Sequence, residues 1–262
     1  MKKSAHDAEA VMAQRSRLAV TFFTWVMQRQ IAREFHALRL AGNGPPDLPT
    51  DRPVVVYSNH PAWWDPALFI VLAGRLFADR QSFGPMDSAA LSQYRVLRRV
   101  GIFGIETEGY RGAARLLRIA RGVLAAPSRM LWVTAQGEFV DPRIRPVRLR
   151  PGLARVLARV PQAIAVPLAI EYVFWQEKQP EALCRFGAPI TGNARTTEQL
   201  AAALTETIDS LGQASMTRDA SGFTTLVSGR VGVGGLYDLG RRLQAAARGR
   251  VFDARHDRQP PR

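Results

Sequence analysis

Several features that define common protein classes are scarce or absent in this sequence of 262 residues. Its one cysteine, Cys184, cannot form a disulfide within the chain, which is typical of a protein in a reducing, cytoplasmic compartment. The sequence also lacks the Cys and His spacing of zinc sites, and it has no Gly-x-Ser-x-Gly elbow. It therefore predicts no metal site, no bound cofactor and no serine or cysteine nucleophile.

Acidic residues are few relative to basic ones. Asp and Glu total 22 against 36 Lys and Arg, nearly all of the excess is arginine, and the net charge is +14. Such a surface attracts anionic lipid head groups at ~1 kcal/mol per basic residue, and it also attracts nucleic-acid phosphates. The sequence contains no helix-turn-helix, zinc-finger or RNA-binding aromatic motif. We therefore predict an anionic membrane surface as a partner, and no nucleic acid.

The apolar run near the N-terminus is short, covering residues 18–27, whereas a membrane-spanning helix needs ~20 apolar residues. We predict an amphipathic helix over Arg17–Leu40 with a basic second half. Its residues Phe22, Phe23 and Trp25 are of the type that favours the boundary between membrane and water. The helix either lies in that boundary or packs on the folded domain, and the sequence leaves both possibilities open.

The most informative pattern begins with a β-branched run at residues 54–56, which predicts a strand. Pro61 ends that strand, so His60 is expected at its carboxyl end, where open α/β sheets bind ligands. Asp65 then precedes Pro66 and an apolar helix. A carboxylate bonded to one imidazole nitrogen leaves the other nitrogen free to take a proton from a hydroxyl. The alternative is that Asp65 only caps the helix and His60 only ends the strand.

Asn59, His60 and Asp65 resemble the first signature of the glycerolipid acyltransferase family, in which Asn-His is followed by four residues and Asp. Three further segments resemble the later signatures in the same order. The second and third matches are partial, and only Gly137 agrees strictly in the third. The segments are 101–107, 131–139 and 164–169.

The resemblance implies direct transfer of an acyl group from a thioester to a hydroxyl of a lysophospholipid or related lipid. His60 would act as the general base and Asp65 would orient it. The co-substrate would be acyl-CoA or an acylated carrier protein, whose negative charges suit a cationic protein. By the same resemblance, Asn59, Gln136, Gly137 and Glu138 are candidate substrate-binding residues.

Two departures from the family pattern concern the acceptor. Arginines that would hold a phosphorylated acceptor are replaced by Thr107 and Phe139. Either Arg111, Arg143 or Arg145 takes their place, or the acceptor carries no phosphate there. We favour the second possibility.

The alternation of predicted strands and helices indicates an α/β fold with a mixed, mostly parallel sheet flanked by helices. A polar N-terminus and the amphipathic helix are expected over 1–41, and a linker rich in Gly and Pro over 42–53. The acyltransferase-type domain is expected over 54–212, and a basic, glycine-rich extension over 213–262. Within the domain we predict one long helix over Asp87–Val100.

From these features we predict that the protein is a peripheral enzyme on the cytoplasmic face of the membrane. Two other functions use the same features. The histidine could activate water in a thioesterase or lipid hydrolase, although the nucleophile elbow of lipases is absent. Alternatively, the chain could be a basic lipid-binding protein without catalytic activity.

Overall fold

Eight strands form one sheet in the computed structural model, which describes residues 2–42, 44–106, 109–192 and 195–230. The strands are β1 (Ala37–Ala41), β2 (Val54–Ser58), β3 (Gln81–Asp87), β4 (Ile102–Ile105), β5 (Arg129–Thr134), β6 (Ile164–Val173), β7 (Glu181–Phe186) and β8 (Phe223–Ser228). The α-helices are α1 (Lys2–Gln14), α2 (Arg17–Glu34), α3 (Asp65–Leu76), α4 (Ser88–Gln93), α5 (Gly109–Val123), α6 (Gly152–Arg159) and α7 (Thr197–Met216).

The strand order is β4-β3-β5-β2-β6-β7-β1-β8. The β6–β7 and β1–β8 pairs are antiparallel, and the other neighbouring pairs are parallel. The α/β class and the mixed, mostly parallel sheet are therefore confirmed. All five residues of β2 are buried, because this strand lies between β5 and β6 and is covered on both faces.

Two apolar layers cover the sheet. On one face, Val55 and Tyr57 pack in a cluster with buried residues of α5, α6 and α7. On the other face, Val54 and Val56 pack with residues of α2 and α3. Alternate residues of β2 thus join opposite clusters, as the two-residue period of a strand requires. The carboxyl end of β2 is consequently held rigidly from both sides.

The N-terminal helix predicted over Arg17–Leu40 is shorter than expected, because α2 ends at Glu34 and residues 37–41 form β1. Arg39 explains the difference. It is buried within the sheet, where its Nε donates to Glu181 at 2.9 Å and its Nη1 donates to Thr225 at 2.8 Å. Arg39 therefore belongs to the sheet and not to a basic helix face.

The residues before α2 are helical as well. Helix α1 packs against α5, where the side chain of Ala8 is buried and Arg118 pairs with Asp7 at 3.3 Å. The segment predicted as a polar N-terminus is thus a helix attached to the sheet's outer layer.

The single helix predicted over Asp87–Val100 is wrong. Strand β3 continues to Asp87, whose carboxylate accepts hydrogen bonds from two amides at the start of α4. Tyr94, with φ −116° and ψ 50°, then separates α4 from a 3-10 helix over Arg95–Val100. The segment therefore turns between two short helices.

Strand β8 lies in the segment predicted as the start of a loose C-terminal extension, and it pairs with β1. The sheet thus takes strands from both sides of the predicted interval 54–212. Residues 231–262 of the extension lie outside the described part of the chain. Within the described ranges, no helix combines the length and apolar character needed to cross a bilayer.

The predicted linker over 42–53 contains no helix or strand among its described residues. Arg80 holds it in place. Its guanidinium donates to the carbonyl oxygens of Pro49 at 2.6 Å and Arg52 at 2.9 Å. Part of the arginine excess therefore serves the fold and is not available to partners.

Candidate functional site

The carboxyl end of β2 is anchored by Asn59, which follows its last residue. The Asn59 side chain receives a hydrogen bond from the Ile170 amide at 2.8 Å and donates to the Ile170 carbonyl at 2.9 Å. This buried amide extends the pairing of β2 with β6 by one step beyond the strand. Asn59 therefore directs the chain that carries His60, and both its amide oxygen and its amide nitrogen are bonded to Ile170.

His60 and Asp65 form a short, directed pair. The Nδ1 atom of His60 lies 2.6 Å from Oδ2 of Asp65. The carboxylate is fully buried, whereas the histidine side chain keeps 16% of its surface exposed. An ionised carboxylate can only accept hydrogen bonds, so pairing with such a carboxylate places the proton on Nδ1 and leaves Nε2 as the basic nitrogen of a neutral ring. No hydrogen bond to Nε2 is found among the described residues.

The interpretation of Asp65 as a helix cap does not fit its contacts. Asp65 is the first residue of α3, and the capping position belongs to Trp64, whose side chain makes no capping bond. The carboxylate turns instead toward the loop before the helix, where it also accepts from the Ala62 amide at 3.4 Å. Its position is thus explained by His60 and the loop.

Tyr172 is a third member of this group that sequence reasoning missed. Its hydroxyl donates to Oδ1 of Asp65 at 2.7 Å from a position 107 residues away in the chain. Burial, together with the negative charge of Asp65, raises the pKa of Tyr172 well above its ordinary value, so the phenol remains a donor. Strand pairing could have suggested it. Ser58 pairs with Leu168, so residues 170 and 172 continue along the edge where His60 lies.

The loop after β5 crosses the end of β2 and is tied to it. Gln136 accepts a hydrogen bond from the His60 amide at 3.0 Å, and the Val140 amide donates to the His60 carbonyl at 3.0 Å. Gln136 was predicted from the sequence as a site residue, and the structure brings it to His60. Its amide oxygen is used by the backbone, so its role here is to position the loop.

Phe139 lies within that loop, and its ring covers part of the imidazole. The two ring centroids are 4.3 Å apart with a 38° angle between the planes, and 61% of Phe139 is exposed. The sequence indicated Phe139 only as a missing arginine. No local sequence pattern predicts the contact of Phe139 with His60, because it is the path of the loop that brings the two rings together.

Gly137 has a backbone conformation that favours glycine, with φ +71°. A Cβ atom there would also lie 3.0 Å from Cγ and Nε of Arg150. Gly137 therefore permits the turn and the close approach of Arg150. The neighbouring Glu138 is exposed.

The three arginines proposed as substitutes are bonded elsewhere or lie to one side. Arg143 pairs with Asp141 at 2.6 Å, and Arg145 pairs with Asp209 of α7. Arg111 is exposed at the start of α5, after β4, and β4 lies three strand spacings from β2, or roughly 14 Å. None of the three contacts His60 or Asp65 among the described contacts. Thr107, the other departure, lies outside the described residues.

Aromatic side chains connect this group to α2. Phe35, at the end of α2, contacts Tyr172 with ring centroids 5.5 Å apart and Trp64 with centroids 5.2 Å apart. Trp64 in turn contacts Trp63, which is 69% exposed. The end of α2 and the rim of the site thus share one aromatic cluster.

Comparisons with known proteins add no identification, since no family model matches this chain and no curated protein matches it.

Proposed function

We propose that this protein is an acyltransferase that moves a fatty acyl group from a thioester to a lipid hydroxyl. The observation that carries the proposal is the His60–Asp65 contact of 2.6 Å, with Nε2 of a partly exposed imidazole left unbonded among the described residues. Tyr172 supports it by holding the second oxygen of the carboxylate. This arrangement suits a general base whose tautomer is set by a buried acid.

The reaction needs no covalent enzyme intermediate. Nε2 of His60 takes the proton from the acceptor hydroxyl as the hydroxyl oxygen attacks the thioester carbonyl. The new ester C–O bond forms, the C–S bond breaks, and the departing sulfur recovers the proton from the imidazolium. Asp65 stabilises that imidazolium through Nδ1, which favours the charge that develops during the step. The donor is acyl-CoA or an acylated carrier protein, and the acceptor is a lysophospholipid or related lipid.

A membrane location is supported by the exposed face of α2. Leu18, Phe22 and Trp25 are spaced by four and three residues and are each more than half exposed. Arg29 lies over the Trp25 ring at 5.0 Å, and a groove of about 670 Å³ beside α2 is lined by Trp25, Arg29 and Arg33 among other residues. Apolar side chains flanked by cations favour the surface of an anionic bilayer. We therefore propose peripheral binding at the cytoplasmic face, with the end of α2 directed toward the site.

The catalytic proposal is tested by measuring transfer of a labelled acyl group from palmitoyl-CoA to lysolipids and monoacylglycerol. His60→Ala should lower the rate by about 10²–10⁴-fold, because it removes the base. It should also lower the melting temperature, because the buried Asp65 carboxylate loses a partner, so rates are compared at temperatures where both proteins are folded. His36→Gln is the matched control, since His36 bonds the Arg230 carbonyl and lies outside the pair. Thioester hydrolysis that proceeds equally well without any acceptor would indicate a thioesterase.

The membrane proposal is tested by sedimentation with vesicles that contain phosphatidylserine. Arg29→Glu combined with Arg33→Glu should weaken binding by at least about tenfold, as should high salt, because each cation contributes ~1 kcal/mol. His60→Ala should bind like the wild type. If function survived His60→Ala and was lost only with the charge reversals, the protein would be a lipid-binding protein and not an enzyme.

A further inference from the structure

Phe139 occupies a defined position beside the proposed base. The chain on either side of it is bonded to His60, through Gln136 on one side and Val140 on the other. The three residues between these two hydrogen bonds can extend only a short distance from the end of β2. The ring contact with His60 is therefore a property of the fixed loop.

The chemical character of that position is apolar. The centroid of the Phe139 ring lies 4.3 Å from the centroid of the His60 imidazole, and 61% of Phe139 is exposed to solvent. An aromatic ring offers no hydrogen-bond donor, so a phosphate placed there would lose water without gaining a partner. The adjacent Glu138 is exposed and adds a negative charge, which opposes a phosphate further.

The nearby cations are largely engaged. Arg143 and Arg145 pair with Asp141 and Asp209. Arg150 packs over Gly137, two residues before Phe139, and makes no ion pair among the described residues, so it is a cation that could still bind a phosphate.

On the basis of the proposed function, we propose a restriction of its acceptors: among lysophospholipids and related lipids, the acceptor is one whose hydroxyl has no phosphate on the neighbouring carbon, and Phe139 selects it. The ring would contact an uncharged part of the acceptor while Nε2 of His60 takes the hydroxyl proton. Phe139 is thus a specificity-determining residue that touches the acceptor.

The experiment compares two acceptors with one acyl chain, 1-oleoylglycerol and 1-oleoylglycerol 3-phosphate. Both are presented to the full-length protein in neutral detergent micelles with palmitoyl-CoA, so that membrane charge does not influence the result. The wild type should show at least about tenfold higher kcat/KM for 1-oleoylglycerol. Phe139→Arg should shift the ratio toward the phosphate by about tenfold to a hundredfold, the range of a charge-assisted hydrogen bond. Phe139→Leu, which stays apolar, should keep the wild-type preference.

Two results would overturn the inference: a wild-type preference for the phosphorylated acceptor, or selective loss of activity on it in Arg150→Ala. The second would assign phosphate binding to Arg150.

A binding measurement separates this inference from the proposed function. Glycerol 3-phosphate should not protect His60 of the wild type from diethyl pyrocarbonate, followed by mass spectrometry, but should protect it in Phe139→Arg. If neither acceptor were acylated, the proposed function would fail, and the protection pattern alone would decide the inference. Protection of the wild type would then refute it.

Discussion

Two parts of the sheet's carboxyl edge differ in how their charged groups are bonded. We call the His60–Asp65 pair the centre, and Arg143 and Arg145 with their partners the flank. At the centre, the buried carboxylate of Asp65 accepts from His60, Tyr172 and the Ala62 amide. At the flank, Arg143 is 85% exposed and pairs only two residues away with Asp141. A buried carboxylate is costly to leave unpartnered, whereas exposed ion pairs are weak and easily exchanged. The comparison teaches that a short distance between charged groups fixes their geometry only where burial makes the contact specific.

The largest effect is expected from Asp65→Asn, which tests whether Asp65 orients the imidazole of His60. His60 and Tyr172 bond different oxygens of Asp65, and an amide has only one oxygen, so its donor nitrogen would face one of these two donors. Acyl transfer should fall by about 10²–10⁴-fold in initial-rate measurements, since the tautomer of the base is no longer set.

Asp7→Asn is the matched control, because Asp7 pairs with the partly exposed Arg118 where α1 packs on α5, away from His60, and such ion pairs contribute little. Its activity and melting temperature should stay near the wild-type values. If Asp65→Asn behaved like this control, the centre would be only a structural turn.

A smaller effect is expected from Tyr172→Phe, which removes the hydrogen bond to Oδ1 of Asp65. The loss of a donor to a charged group should cost about 1.5–3 kcal/mol, or roughly 3–12 °C in melting temperature. The turnover number should fall about tenfold, because Asp65 is then held less firmly. Thermal unfolding and kcat are measured on the same preparations.

Tyr57→Phe controls for the loss of a buried tyrosine hydroxyl, since Tyr57 donates to the Leu200 carbonyl at 3.0 Å in the opposite apolar cluster. This variant should also lose stability but keep its kcat at temperatures where it is folded. Equal losses of kcat in both variants would remove Tyr172 from the site and leave it a structural role.

The smallest effect is expected at the flank. Arg143→Ala and Arg145→Ala each break an ion pair that contains an exposed or half-exposed partner, and such pairs contribute little. Transfer to 1-oleoylglycerol should stay within about twofold of the wild type. A drop of more than tenfold in the rate of transfer to the phosphorylated acceptor alone would show that these arginines bind the acceptor. The flank would then be part of the site, as the centre is.

The predicted elements that match the structure depend on neighbours in the chain. The β-branched run that predicts a strand is the buried strand Val54–Ser58. His60 and Asp65 meet because they are five residues apart in the short connection between β2 and α3, which leaves few paths for the chain.

The elements that were wrong or missed depend on distant partners. Arg39 looks like part of a basic helix until Glu181 and Thr225 surround it in the sheet. Strand β8 lies in a stretch of sequence with no regular hydrophobic period. It is a strand because its backbone pairs with the free edge of β1. Pairing of strands far apart in sequence outweighs local preference in such segments.

By itself, the sequence determined the α/β class, the central strand and the proximity of one histidine to one aspartate, because these depend on periodicity and short chain connections. Only the tertiary structure decided that Tyr172 holds the second carboxylate oxygen and that Phe139 lies on the imidazole. It also decided that Arg145 pairs with Asp209 of α7, away from His60. The physical reason is that these contacts join residues from separate strands, loops and helices, whose meeting depends on sheet order and loop path.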